Sequence, residues 1–208
     1  MEWWRRVFWL LIVLPQWSGA EEVRLSAGVE QFNWEEFADD GRSLLGESGL
    51  RQYVELGREA PLNSNWWYEM RGRLYGVRVG YDGETWAGDP VTTDTDYKGI
   101  QVELGVTQST AGDTTGATSA KWLFRAAVGI DGWQRLLRDT SLADGTPVMG
   151  YNENYICYYS SAWLGYTRGS WPANLGMKLP LRIDERVEIG GWSVLLHPEG
   201  RLSLMASS

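Results

Sequence analysis

Residues 66–108 read as two antiparallel strands joined by a polar loop. In the second arm Ile100, Val102, Leu104 and Val106 alternate with Gln101, Glu103, Gly105 and Thr107. Successive side chains of a strand point to opposite faces, so one face alone is apolar. The first arm has the same period: Trp66, Tyr68, Met70 and Leu74 alternate with Glu69, Arg71 and Arg73. The apolar set then changes phase, because Tyr75, Val77, Val79 and Tyr81 follow with Gly76, Arg78 and Gly80 between them. A β-bulge near Tyr75 is the expected cause. Each run is about ten residues or longer, which suits a tilted strand crossing a bilayer better than the five or six residues of a typical soluble strand.

The pattern extends over the rest of the chain. Strand one covers 23–37, with Val23, Leu25, Ala27 and Val29 followed out of phase by Phe32 and Trp34. Asp39-Asp40-Gly41 and the segment 46–49 bracket a turn, strand two covers 50–58, and Pro61, Asn63 and Ser64 end it, since proline cannot donate to a ladder. Polar connections are expected at 82–96 and 110–120. Strand five begins at Trp122, with Phe124, Ala126, Val128 and Ile130 on one face, and continues through 133–138. A long polar stretch runs to Asn154. Strand six, 155–169, sets Ile156, Tyr158, Ala162, Leu164 and Tyr166 against Cys157, Tyr159, Ser161, Trp163 and Thr167. The segment 170–180 reads as a connection and 181–189 is ambiguous between strand and loop. Segments 192–196 and 201–205 read as a hairpin about Pro198-Glu199-Gly200. The fold predicted is all-β: an antiparallel, up-and-down transmembrane β-barrel with about eight strands visible.

Composition sharpens this picture. There are thirteen Trp and ten Tyr in 208 residues. Trp66, Trp67, Tyr81, Trp86, Tyr97, Trp122, Trp133, Tyr155, Trp171 and Trp192 gather near strand ends, where girdles at two lipid–water interfaces would place them. A Trp-rich soluble β-sandwich is the bland alternative. The first twenty residues have a basic Arg5-Arg6 start, an apolar core over 7–14 and a small-residue Ser18-Gly19-Ala20 site. They are expected to be a cleaved signal peptide, leaving 21–208 as one barrel domain. A single cysteine, Cys157, allows no intramolecular disulfide. Past the signal no apolar run is long enough for a membrane helix, and a closed barrel is the other way to span a bilayer. A formal charge of -8 argues against a nucleic-acid partner. The expected partners are outer-membrane lipid and the barrel-assembly machinery, with no cofactor and the small-molecule ligand left open.

The segments Phe32-Asn33-Trp34-Glu35-Glu36-Phe37, Leu44-Leu45-Gly46-Glu47-Ser48-Gly49, Gly80-Tyr81-Asp82-Gly83 and Thr93-Asp94-Thr95-Asp96-Tyr97-Lys98-Gly99 resemble a group of largely uncharacterised bacterial outer-membrane β-barrel proteins. The resemblance covers most of the chain past residue 20. It implies a fold and a location in the outer membrane of a Gram-negative cell, but no catalytic residues. It also implies a last strand ending in an aromatic residue. This sequence stops at Met205-Ala206-Ser207-Ser208, so the resemblance leads one to expect further strand beyond it.

The candidate chemistry is mostly charge. Glu55, Glu69, Arg71, Arg73, Glu103, Arg125 and Asp131 fall on the polar faces of neighbouring strands. In a narrow lumen they would cross-pair, which is favoured over a selectivity ring in a pore. Glu35, Glu36, Asp39, Asp40 and Glu47 would form a solvated acidic turn, and Asp82, Glu84, Asp89, Asp94 and Asp96 a second; their spacing fits no EF-hand, and no metal is assigned. His197 is the only histidine and stands beside Pro198. It would have to serve any Ser-His-carboxylate site, with Ser193 or Ser203. The leading reading is an outer-membrane barrel of structural, adhesive or narrow-transport role. An outer-membrane protease or lipid A hydrolase and a soluble periplasmic β-sandwich or lipocalin-like binder are the alternatives.

Overall fold

A computed structural model describes residues 22–37, 41–85, 87–110, 120–168, 171–189, 192–196 and 203–207, with the backbone alone at 120, 168, 171, 172, 189, 196 and 203–207. The expected signal peptide, Trp86, Asp39, Asp40 and His197 lie outside the described residues. The elements are β1 Glu22–Phe37, β2 Ser43–Pro61, β3 Trp66–Glu84, β4 Pro90–Ser109, β5 Ala120–Leu137, β6 Thr140–Ser141, β7 Pro147–Val148, β8 Asn152–Arg168, β9 Trp171–Ile189, β10 Trp192–Leu196 and β11 Ser203–Ser207. The small β6–β7 hairpin stands apart; the rest form one antiparallel sheet in which neighbours follow chain order from β1 to β10, with β11 also paired to β9. No ladder joins β1 to β10 or β11 among the described residues, so the sheet is an open path with β1 at one edge.

Strict alternation assigns two faces to this sheet. The outward face carries Val23, Leu25 and Val29 of β1, Leu50, Val54 and Leu56 of β2, Leu104 and Val106 of β4, and Phe124, Val128 and Ile130 of β5, all exposed. No second layer packs on them among the described residues. At about 3.3 Å per residue the row from Ile100 to Val106 is about 20 Å long and that from Trp122 to Ile130 about 26 Å. Past this belt, toward the rim holding 85–89 and 138–151, the same face turns polar. Arg78 Nε donates to Asp96 Oδ1 at 2.7 Å, and Arg138 Nη2 to Asp96 Oδ2 at 2.6 Å.

The inward face is where distant strands meet. Trp34 of β1 lies 6.3 Å from Trp133 of β5 and 5.7 Å from Tyr155 of β8 between ring centroids. A flat sheet could not bring these strands together, so it curls tightly toward this face. Glycine opposite an inward aromatic makes the curl possible. Gly28 faces Tyr53, Gly99 faces Tyr75, Gly129 faces Tyr159 and Gly176 faces Trp163 across adjacent strands. Each ring lies over its glycine so closely that a Cβ there would come within 2.3 to 2.7 Å of a ring atom.

Several sequence expectations need correction. The phase change at Tyr75 is not a bulge, because β3 and β4 stay in one register from Trp66 opposite Gln108 to Glu84 opposite Pro90. Tyr75, Val77, Val79 and Tyr81 are apolar because the interior itself turns aromatic toward that rim. Register shifts fall instead at the end of the β1–β2 ladder, between Glu36 and Phe37, and between β8 and β9, where Tyr158 faces Arg182 and Tyr159 faces Pro180. The extra residue there accommodates a proline that cannot donate, and 171–180 of the expected connection is strand. Segments 46–49, 82–84 and 90–96 are also strand, extending the ladders beyond the expected turns; the β3–β4 loop shrinks to 85–89, with Gly88 at φ 87°. Among the described residues the hairpin expected near the end does not form: β10 and β11 each pair with β9, Leu196 opposite Glu185 and Ser203 opposite Lys178.

Candidate functional site: a charged interior beneath an aromatic stopper

The seven predicted interior charges come together on the inward face. Arg125 of β5 donates to Glu69 of β3 and to Glu103 of β4. Arg71 Nη2 reaches the second Glu69 oxygen at 2.8 Å. Arg73 bridges Glu55 at 2.9 Å and Glu30 of β1 at 3.1 Å, and Arg51 Nε takes the other Glu30 oxygen at 2.7 Å. Asp131 accepts from Tyr75 O–H at 2.7 Å and from Lys178 Nζ at 3.3 Å. Rings tie these pairs into one web. Arg51 lies over Tyr75 at 4.5 Å, Arg73 over Tyr53 at 4.2 Å and Lys178 over Tyr159 at 3.9 Å from the centroids. Charges removed from water are stable only with such complete pairing.

A second knot, closer to the 85–89 rim, was not among the expected sites. Arg135 of β5 donates from Nη1 to Glu153 Oε2 at 2.7 Å and from Nη2 to Glu47 Oε1 at 3.2 Å, and Nη1 also contacts Glu36 at 3.5 Å. Side-chain exposure is 1% for Arg135 and 0% for Glu47. Glu47 also accepts from Thr95 Oγ1 at 2.6 Å and from Tyr97 O–H, and Tyr155 O–H donates to Glu153 at 3.0 Å. Glu47 is therefore no member of a solvated acidic turn: β2 begins at Ser43, and alternation turns Glu47 inward. Arg135 and Glu153 could have been found by carrying the inward phase of β5 and β8 past Asp131 and Tyr155.

Aromatic rings surround this knot. Phe32 and Tyr97 approach to 4.7 Å, and Trp133 stacks on Tyr155 at 4.8 Å and 9°. Leu45, Tyr81, Val91 and Leu137 form a buried cluster on the rim side, and Phe32, Val79 and Tyr97 another beneath it. Tyr81, Tyr97, Trp133 and Tyr155 thus do not belong to a girdle; they fill the interior. Trp67 also faces inward, lining the polar cavity. Trp122 is exposed on the outer face against Tyr166, 4.7 Å between centroids. Trp66 shares that face by alternation. Trp192 is exposed on β10, and Trp171 is placed by its backbone alone, at the start of β9.

No family model, curated protein or solved structure matches this chain. The interior geometry therefore stands on its own terms. A cavity of about 660 Å³ runs from the rim holding the 62–65 turn inward to the paired charges, and the aromatic cluster lies beyond them toward the other rim. Among the described residues no histidine, cysteine and carboxylate group gathers as a metal site. Outside the strands, Thr146 donates its backbone N–H to Asp144 at 2.9 Å, which holds that carboxyl below the ordinary carboxylate range.

Proposed function

We propose that this chain is an integral outer-membrane β-barrel whose interior is stoppered at one rim, so that its role is structural or ligand-holding in preference to open conduction. The observation that carries the reading is the contrast of opposite faces: bare Val, Leu, Ile and Phe side chains outward, and Arg, Lys, Glu and Asp side chains cross-paired inward. Water penalises the first, and hydrocarbon penalises an uncurled version of the second. A bilayer around a closed or nearly closed curl satisfies both. The nine-residue outward row from Trp122 to Ile130 matches the roughly 9–11 residues of a tilted membrane strand. Outer-membrane lipid would cover the belt, and the barrel-assembly machinery of a Gram-negative cell would deliver the chain to it.

The stopper bears on the choice among barrel functions. Phe32, Tyr97, Trp34, Trp133 and Tyr155 touch across the interior from β1, β4, β5 and β8, which in the proposed barrel would close the rim opposite the polar cavity. The test is expression in a Gram-negative host, followed by membrane fractionation, detergent extraction, heat-dependent gel mobility and planar-bilayer recording. Extraction by detergent alone, a faster-migrating unheated band and no steady conductance are expected. Release of the folded protein by salt or carbonate, without detergent, would overturn the membrane reading, and a stable ohmic channel would overturn the stopper.

A further inference from the structure

The cavity below the stopper holds more than structural pairs. Its wall carries seven arginine and lysine side chains against six carboxylates, in a chain whose formal charge is -8. At the mouth Arg24 and Lys121 stand with Glu59, and Arg24 is paired to Glu22. Arg51, Arg73, Arg125 and Lys178 are each held by inward carboxylates or tyrosine rings. Lys121 makes no ion pair among the described residues and is exposed at the start of β5. Arg71 spends one bond on Glu69, and its side chain is 37% exposed. An anion entering from this rim meets cations that the web does not consume.

The same mouth offers flat apolar surfaces. Trp163 lies against Gly176, whose missing Cβ would sit 2.3 Å from the indole, so one indole face rests on backbone while the ring lines the cavity. Trp67 lines it from β3, and neither indole has an aromatic neighbour among the described residues. A ring stacked on an indole and a carboxylate met by an ammonium are complementary to these two features together. The cavity volume falls within the range of small-molecule sites.

We propose that this cavity binds a carboxylate borne on a ring, with the ring against Trp163 or Trp67 and the carboxylate held by Lys121 at the mouth. Two chemical sources present that shape, an acidic sugar and an aromatic acid. The site does not depend on the chain crossing a bilayer, so it is tested on the full chain folded in detergent micelles. Tryptophan fluorescence and calorimetry are recorded with trigalacturonate and with 4-hydroxybenzoate, and with maltotriose and benzyl alcohol as uncharged counterparts. One of the two carboxylates is expected to saturate, at least about tenfold more tightly than its uncharged counterpart, the size expected of a charged hydrogen bond. Whichever saturates names the source. Lys121→Gln, at an exposed position that leaves the fold intact, is expected to weaken it about fivefold to tenfold, and added salt to weaken it further. Trp163→Phe is expected to reduce the fluorescence change while keeping measurable affinity. Binding of neither carboxylate, equal binding of an uncharged counterpart, or an unchanged affinity in Lys121→Gln would each overturn the proposal.

Discussion

Replacing Arg135 by methionine tests whether the stopper is held by its buried charge. The substitution keeps an unbranched side chain of similar reach but removes the guanidinium from Glu47, Glu153 and Glu36. Glu47 is fully buried and Glu153 nearly so, so both carboxylates would be left without their cation. Breaking a buried pair by removing one partner costs about 3–5 kcal/mol. Thr95 and Tyr97 still donate to Glu47, which places the expected loss at the lower end, about 3 kcal/mol. Arg135→Lys restores a charge without the planar fork and is expected to recover about half of it, since one charged hydrogen bond is worth about 1.5–3 kcal/mol. Adding Glu47→Gln to Arg135→Met removes one stranded charge, and the two changes should fail to add by about 1–3 kcal/mol. Urea unfolding of the refolded protein in micelles, followed by tryptophan fluorescence, measures all four. A loss under about 1 kcal/mol for Arg135→Met, the size of an exposed ion pair, would refute the buried-knot reasoning.

Val128→Arg on the outward face distinguishes hydrocarbon from water: a cost of about 2–4 kcal/mol is expected at a bilayer midplane, whereas a change within about 0.5 kcal/mol in vesicle-folded protein would mean solvent. Gly129→Ala sets a methyl 2.4 Å from the Tyr159 ring and should destabilise by about 1–3 kcal/mol. Gly80→Ala meets nothing within 4 Å and serves as its control in the same unfolding assay. Asp144 titrates below an ordinary carboxylate because Thr146 donates to its charged form, so its contribution to the β6–β7 hairpin is present above the unfolded carboxylate pKa and lost as pH falls through the folded one. Carboxyl chemical shifts against pH read that midpoint, and a value at or above the ordinary one would contradict the hydrogen bond.

Alternation alone determined much of this protein. Ile100 through Val106 and Phe124 through Ile130 specify strands, their outward face and their antiparallel neighbours, because a period of two admits one assignment of faces and a one-residue slip would reverse it. The same period placed Glu69, Arg71, Glu103, Arg125 and Asp131 on one inward surface. What it could not supply is the identity of residues meeting across the curl. Trp34 and Trp133 are about a hundred positions apart on nonadjacent strands, and Glu47, Arg135 and Glu153 come from β2, β5 and β8. Their contact depends on curvature, which follows from inward glycines lying under inward rings and not from any local pattern. The expected girdle failed at Tyr81, Tyr97, Trp133 and Tyr155 for that reason: closeness to a strand end fixes height along the sheet, whereas only the continued phase of the strand and the curl behind it decide whether a ring faces outward or fills the interior.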